Sequence, residues 1–458
     1  MKPFLIPLFA LLGTGLFGQQ DVPPVFTLQD AVNYAYDNAN SIRNARVDIL
    51  DAEQNVREQL STGLPQISAA LDYTRYLAVP VQPLPEDFAR LGTQLFQIGQ
   101  ELDLGFPAPA ASNTGGGIAF LRKNNFTGGL NVSAMLFDGS FFVGLRAARA
   151  SRDYFNLQLE EAQRTVRNQV TQSYFPVLLT TTNLEIVDRN ISNLEKLLRE
   201  TEAQYEAGFV EQLDVDRLVL SLNNLRSTRR DLEQQQENAL RALKFALNYP
   251  EEQDLRVSED LEQLEIDVAA AALTGDIPYQ QRSEVRLLDQ TLSLQDLNID
   301  LQRAAYLPRL SAVAAAQYQY QGDSFSDGFW APTALVGLSA SIPIYDFGGR
   351  ASRLERARLD KEKVVNQRDD LVRGIGLEVR NARGTFTTAR ARLETTRENQ
   401  ELAQRIYDTT QIKYREGVGS SVEVVQAEQQ LYEAQANYLN ALYDTLVAKE
   451  NLYIALGR

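Results

Sequence analysis

Hydrophobic and polar positions alternate with period two in two stretches of the chain. Phe126, Gly128, Leu130, Val132, Ala134 and Leu136 interleave with Thr127, Gly129, Asn131 and Ser133. Ala334, Val336, Leu338, Ala340 and Ile342 interleave with Thr333, Gly337, Ser339 and Ser341. Successive strand side chains point to opposite faces, so each stretch predicts a strand with one apolar and one polar face. About ten residues suffice for a tilted strand to cross a membrane. Two further strands, each following a Leu-Pro pair, are predicted at 66–76 and 309–320. Tyr73, Tyr76, Tyr318, Tyr320, Phe329 and Trp330 fall near strand ends, where an aromatic girdle would sit. Elsewhere apolar residues recur at three- and four-residue steps. Over 141–205 and 350–414 they predict helices about 100 Å long. Turns at Gly208 and Gly417 follow, glycine adopting positive φ cheaply, and helices return over 211–248 and 420–456. Shorter helices are predicted at 28–60, opened by Thr27 and Asp30, and at 281–305.

The order of these elements repeats. Leu64-Pro65 recurs as Leu307-Pro308, and Phe137-Asp138-Gly139 as Tyr345-Asp346-Phe347-Gly348. Tyr205-Glu206-Ala207-Gly208 recurs as Tyr414-Arg415-Glu416-Gly417, and Ala246-Leu247 as Ala455-Leu456. The chain therefore divides into a first repeat at 19–248, an acid-rich linker at 249–280 and a second repeat at 281–458. Residues 1–18, with Lys2 followed by an apolar run from Phe4 to Phe17, read as a secretory signal peptide. The first copy also holds an insert at 77–125, in which Phe88, Leu91, Leu95, Phe96 and Ile98 suggest a short amphipathic helix.

Composition removes much of chemistry. The 458 residues contain neither Cys nor His and carry a formal charge of −15. Disulfides, thiolate metal sites, imidazole bases and most zinc sites are excluded. The acidic balance argues against nucleic acid. Neither a GxxxxGK nor a strand-linked GxGxxG motif is present. No catalytic residue, metal ligand or cofactor is expected, and the chain is read as a non-enzyme. Four strands do not close a barrel, and an open sheet edge is not tolerated in lipid. If the strands cross a membrane, several copies must share one barrel.

The motifs in this order, twice, resemble the TolC-like outer membrane efflux proteins. The matching pieces are Thr27-Leu28-Gln29-Asp30-Ala31, the Leu-Pro pairs, Phe137-Asp138-Gly139, Ile342-Pro343-Ile344-Tyr345-Asp346-Phe347-Gly348-Gly349-Arg350 and the Tyr-x-x-Gly turns. The resemblance implies a mainly α fold with a membrane β-barrel portion. A homotrimer would contribute four strands per chain to a 12-stranded barrel and continue as a long periplasmic α-helical barrel. It implies a Gram-negative outer membrane location, a periplasmic adaptor (membrane fusion protein) and an inner-membrane transporter as partners, and passive conduction of cargo outwards in efflux or type I secretion. Gly208 and Gly417 would turn the adaptor-docking tips. Asp214 and Glu423 would line the periplasmic aperture, with Arg217 and Arg415 as candidate compensating charges. A further acid of the family pattern is here Gln426. Asp138, Gly139, Asp346 and Gly348 would form the strand-to-helix turns. The residues by themselves also allow an elongated periplasmic coiled-coil adaptor or scaffold, for which membrane-length strands with an apolar face have no purpose.

Overall fold

The computed structural model describes residues 25–80, 82–83, 86–102, 117–118, 121–264 and 266–457. The expected signal peptide at 1–18 lies outside the described residues. Two compact units are present. One comprises the described residues up to Asp48, together with Phe155–Leu288 and the chain from Gln367 onward; the other comprises Ile49–Tyr154 and Asp289–Asn366. Compactness thus divides the molecule across the duplication, because each unit draws on both repeats.

The second unit is built on an antiparallel sheet of strands β2 (Gln66–Arg75), β5 (Asn124–Phe137), β7 (Arg309–Gly322) and β8 (Phe329–Ser341), in that order. Its register sorts the side chains into two faces. Ile67, Ala69, Leu71 and Tyr73 pair with Val132, Leu130, Gly128 and Phe126. Those continue into Ala314, Ala316, Tyr318 and Tyr320, and then into Val336, Ala334, Pro332 and Trp330. This face is apolar and largely uncovered, with Leu71 76%, Val336 86% and Leu338 80% exposed, while Tyr320 at one end of it is buried. Tyr73, Phe126, Tyr320 and Trp330 form one aromatic row across all four strands. The opposite face carries Gln66, Ser68, Asp72, Asn131, Ser133, Gln317, Gln319 and Thr333.

Two expectations are corrected by this register. A bulge between Met135 and Phe137 makes Leu136 the unpaired extra residue and brings Phe137 opposite Leu310 on the apolar face. Phe329 pairs with Gln321, one step from the aromatic row, and so belongs to the polar face. Pro332 lies inside β8, which is an edge strand and spares proline the missing donor. Short strands β3 (Gln82–Pro83) and β4 (Gly117–Ile118) pair with each other and bracket helix α3 (Glu86–Glu101).

The helical stretch expected over 28–60 is two helices, α1 (Leu28–Asn38) and α2 (Asn40–Thr62). Thr27 caps α1 through reciprocal bonds with Asp30. The Asn38 amide donates to Tyr34 O at 3.0 Å, competing with the backbone ladder, and Ala39 is extended. Strands β1 (Val25–Phe26) and β6 (Arg256–Val257) pair in parallel. Helices α4 (Gly139–Glu206), α5 (Gln212–Leu247), α8 (Gly349–Arg415) and α9 (Ser421–Ala455) are the long ones, with α6 (Ala270–Thr274) and α7 (Ser283–Ala304) between them. Pro176 and Gly384 lie within unbroken α4 and α8, and the Thr180 hydroxyl donates to Pro176 O.

Among the described residues, the first unit has three apolar cores. One gathers Phe26, Tyr174, Leu178, Leu243, Leu247, Leu255, Leu261 and Leu442. Leu255 and Leu261 come from the stretch read as a linker, so part of it is core. A second core joins Leu194, Leu197, Leu218, Leu222, Tyr407, Val424 and Leu431 near the helix turns. The third places Val285, Ile375, Val379, Phe386 and Leu452 together. Beside it the buried Arg282 guanidinium donates to the carbonyls of Ile454 and Ala455 and pairs with Glu284 and Glu378. A cation here satisfies the orphan carbonyls at the C-terminus of α9. Burial raises the Glu284 carboxyl, but Arg282 and Arg164 outweigh it and hold it below the ordinary carboxylate range.

Candidate functional site

At both helix turns the same glycine geometry appears. Gly208 has φ +80° and Gly417 has φ +74°. The Gly208 N–H donates to Tyr205 O and the Phe209 N–H to Gln204 O, each at 2.9 Å. The Gly417 N–H donates to Tyr414 O and the Val418 N–H to Lys413 O, each at 3.0 Å. Left-handed backbone closes the last carbonyls of each helix in this way. A Cβ built on either glycine meets nothing within 4 Å, so backbone conformation rather than crowding demands glycine. The next residues, Phe209 and Val418, project with 82% and 77% exposure.

Asp214 and Glu423 do not sit alike. Asp214 closes a capping box with Glu211, whose N–H it accepts at 3.2 Å. Its carboxylate also accepts from the buried Ser421 hydroxyl and faces Arg217 at 3.5 Å. Arg217 donates to Ser421 Oγ at 3.2 Å. Asp214, Arg217 and Ser421 thus latch the start of α5 to the start of α9. Glu423 is exposed, and its N–H is capped by Ser420 Oγ at 3.3 Å. Arg415 joins neither acid and pairs with Glu200 of α4 at 3.0 Å.

Just behind the tips lies a buried acid that the sequence reading passed over. Glu428 on α9 is fully buried and accepts from Tyr432 OH and from Ser221 Oγ. Burial pushes its carboxyl above the ordinary range, although both hydrogen bonds oppose the shift. The Tyr407 phenol of α8 is pushed up to about 12 by burial and by the charge of Glu428. The sequence did carry a signal: Glu428 shares the buried stripe of Val424 and Leu431, where an acid is out of place.

The strand-to-helix turns also differ between the copies. In the first, Asp138 accepts from the Ser140 N–H at 2.8 Å and from its hydroxyl, and Gly139 already begins α4. Burial would raise the Asp138 carboxyl, but these bonds and Arg309 at 3.4 Å lower it. A Cβ on Gly139 would lie 2.5 Å from Leu307 Cδ1, so a larger residue there requires the Leu307 side chain to shift. In the second copy Phe347 and Gly348 are both left-handed, at φ +52° and +85°. Asp346 accepts from the Arg350 N–H at 2.9 Å and pairs with its guanidinium, which packs over Tyr306. The matching motifs therefore make two different turns. Among the described residues no three acidic side chains gather as a metal site, and no helix is long and apolar enough to cross a membrane.

The architecture is thus a largely uncovered apolar sheet joined in sequence to two long helical hairpins. The sequence profile of the outer membrane efflux protein family matches residues 31–249 and 280–458, and the chain belongs to that family of outer membrane channel proteins. The chain is 25% identical over 311 residues to the solvent efflux pump outer membrane protein SrpC of Pseudomonas putida, a match covering 66% of this chain and 65% of SrpC. It is 25% identical over 362 residues to the cation efflux system protein CusC of Escherichia coli K12, covering 76% of each. The crystal structure of VceC from Vibrio cholerae shares the fold, with a TM-score of 0.68 at 15% identity over 94% of this chain and 96% of VceC.

Proposed function

We propose that this protein is the exit duct of a tripartite efflux or type I secretion assembly, conducting cargo passively from the periplasm to the exterior. The observation that carries this reading is the four-stranded sheet with open edges at β2 and β8 and a bare apolar face. Ten residues of β2, at about 3.3 Å each and tilted by about 40°, span about 25 Å, the height of an outer-membrane apolar band. Both edges need partners in lipid. Three copies give a 12-stranded barrel whose inner wall is the amide- and hydroxyl-rich face. The hairpins α4–α5 and α8–α9 form the periplasmic helical barrel. Asp214 and Glu423 line its aperture, and Gly208 and Gly417 turn the tips that meet a periplasmic adaptor. An inner-membrane transporter supplies the energy.

Fractionation and gel analysis of the exported chain test this directly. A detergent-resistant trimer in the outer-membrane fraction is expected, with crosslinks from positions 209 and 418 reaching an adaptor. A monodisperse soluble monomer would overturn the duct. Trimers whose tips reach no adaptor would overturn the docking assignment alone.

A further inference from the structure

Helix α3 belongs to the insert between β2 and β5 and stands outside the duplicated plan. Leu91, Leu95, Ile98 and Leu102 along and just after it are 56%, 59%, 50% and 63% exposed. Their spacing of four, three and four residues is the a/d seam of a heptad, and in sequence it extends back to Phe88. Gly92 and Gly99, one heptad apart, stand beside that seam in sequence. The same glycines weaken a helix of 16 residues on its own.

Two occupants could cover such a stripe, a lipid surface or other copies of the same helix. A helix lying in a membrane interface presents a broad apolar face bordered by Lys and Arg. The stripe of α3 is narrow, and its charged residues are Glu86, Asp87 and Glu101 against the lone Arg90. The helix is also carried on β2, the open edge strand, and the β3–β4 pairing ties its flanks together. An edge completed by another copy brings the α3 helices of different copies to the same end of the shared barrel.

We propose that α3 packs through Leu91, Leu95, Ile98 and Leu102 against the α3 helices of two further copies, forming a three-helix bundle that narrows the outer exit. This rests on the duct reading above. The chain has no native cysteine, so single substitutions report cleanly. In intact trimers, Leu95→Cys and Ile98→Cys should oxidise to disulfide-linked pairs at least tenfold more than Gln97→Cys, which lies on the opposite side of the heptad. Leu95→Glu with Ile98→Glu should keep the trimer and raise single-channel conductance severalfold. Intact trimers in which Gln97→Cys crosslinks as well as Leu95→Cys, or in which neither seam position crosslinks, would overturn the bundle. Seam cysteines that react instead with a lipid-embedded maleimide would show that α3 lies on the membrane. Loss of the trimer in the unsubstituted chain would sink the duct reading itself.

Discussion

The two tips share one turn and differ in what stands behind it. Behind Gly208, Asp214 is spent on Ser421 and Arg217, bonds that reach from α5 to α9. Behind Gly417, Glu423 is exposed, while the next inward acid, Glu428, is sealed among Ser221, Tyr407 and Tyr432. The residue of the first copy that answers to Glu428 is Val219, 37% exposed. Helix α9 is the more enclosed of the two returning helices, burying Val424, Ala427, Leu431, Leu439, Leu442 and Leu446, whereas Leu220 and Phe245 of α5 stay 63% and 82% exposed. Duplication has preserved the backbone device, which one glycine sets locally. Side chains have diverged because each copy meets different neighbours. An acid at matching positions is therefore a latch in one copy and a solvent-facing charge in the other.

The latch carries the largest expected effect. Asp214→Ala removes the acceptor of the buried Ser421 hydroxyl and the partner of Arg217. A hydrogen-bonded charge of this kind is worth about 2 kcal/mol. The midpoint of trimer dissociation in a heated detergent gel should fall clearly, and Asp214→Asn should recover part of the loss. If Asp214→Ala costs no more than Glu423→Ala, the asymmetry between the tips is not real.

The shared turn predicts equal penalties. Gly208→Val and Gly417→Val each force an L residue into left-handed backbone at about 1–2 kcal/mol. No atom lies within 4 Å of either new Cβ, so crowding at that atom adds nothing to the figure. Both variants should insert as trimers and lose adaptor crosslinking to the same degree. A large difference between them would place the docking surface on one tip alone.

Glu428 predicts a pH dependence with a definite sign. Its folded carboxyl binds its proton more strongly than the unfolded chain does. The stabilisation is complete below the ordinary Glu range and fades as pH rises through the raised folded value. Ser221, Tyr432 and Tyr407 surround it from α5, α9 and α8, and none is a base that would reverse the trend. Glu428→Gln should match the parent in unfolding midpoint at acidic pH and exceed it at alkaline pH. A parallel pH profile for parent and variant would show that Glu428 keeps its charge when buried.

Periodicity made the long elements legible. The helix expected over 141–205 runs from Gly139 to Glu206, and that over 350–414 from Gly349 to Arg415. Both tip glycines proved left-handed because few other residues tolerate that backbone. What escaped the sequence depended on partners distant along the chain. Arg415 is near Glu423 in number but reaches Glu200 instead. The break at Ala39 follows Asn38, whose side chain turns back on Tyr34 O, inside a pattern that is helical on both sides. The bulge at Leu136 moved Phe137 to the apolar face, a one-residue slip that alternation does not reveal. Leu255 and Leu261 lay in an acid-rich stretch, and only tertiary packing identifies them as core.

The smallest effect on stability belongs to Glu423→Ala, which should stay within about 0.5 kcal/mol because the side chain is exposed. Its consequence should appear in conduction. In the proposed trimer, three copies would bring three such carboxylates to one aperture, where two unit charges about 6 Å apart at an effective dielectric near 20 repel by about 3 kcal/mol. Asp214 has Arg217 beside it to offset its charge; Arg415, the nearby cation in sequence, is engaged by Glu200 and leaves Glu423 without that help. Carboxylates in a constriction attract cations and repel anions. Reversal potentials in planar bilayers under a salt gradient should therefore show a cation preference that Glu423→Ala reduces more than Asp214→Ala. The double variant should lose most of it, together with block by multivalent cations. An unchanged preference in the double variant would remove both acids from the aperture while leaving the duct intact. A larger loss from Asp214→Ala would mean that the latch opens in the conducting state and frees its carboxylate.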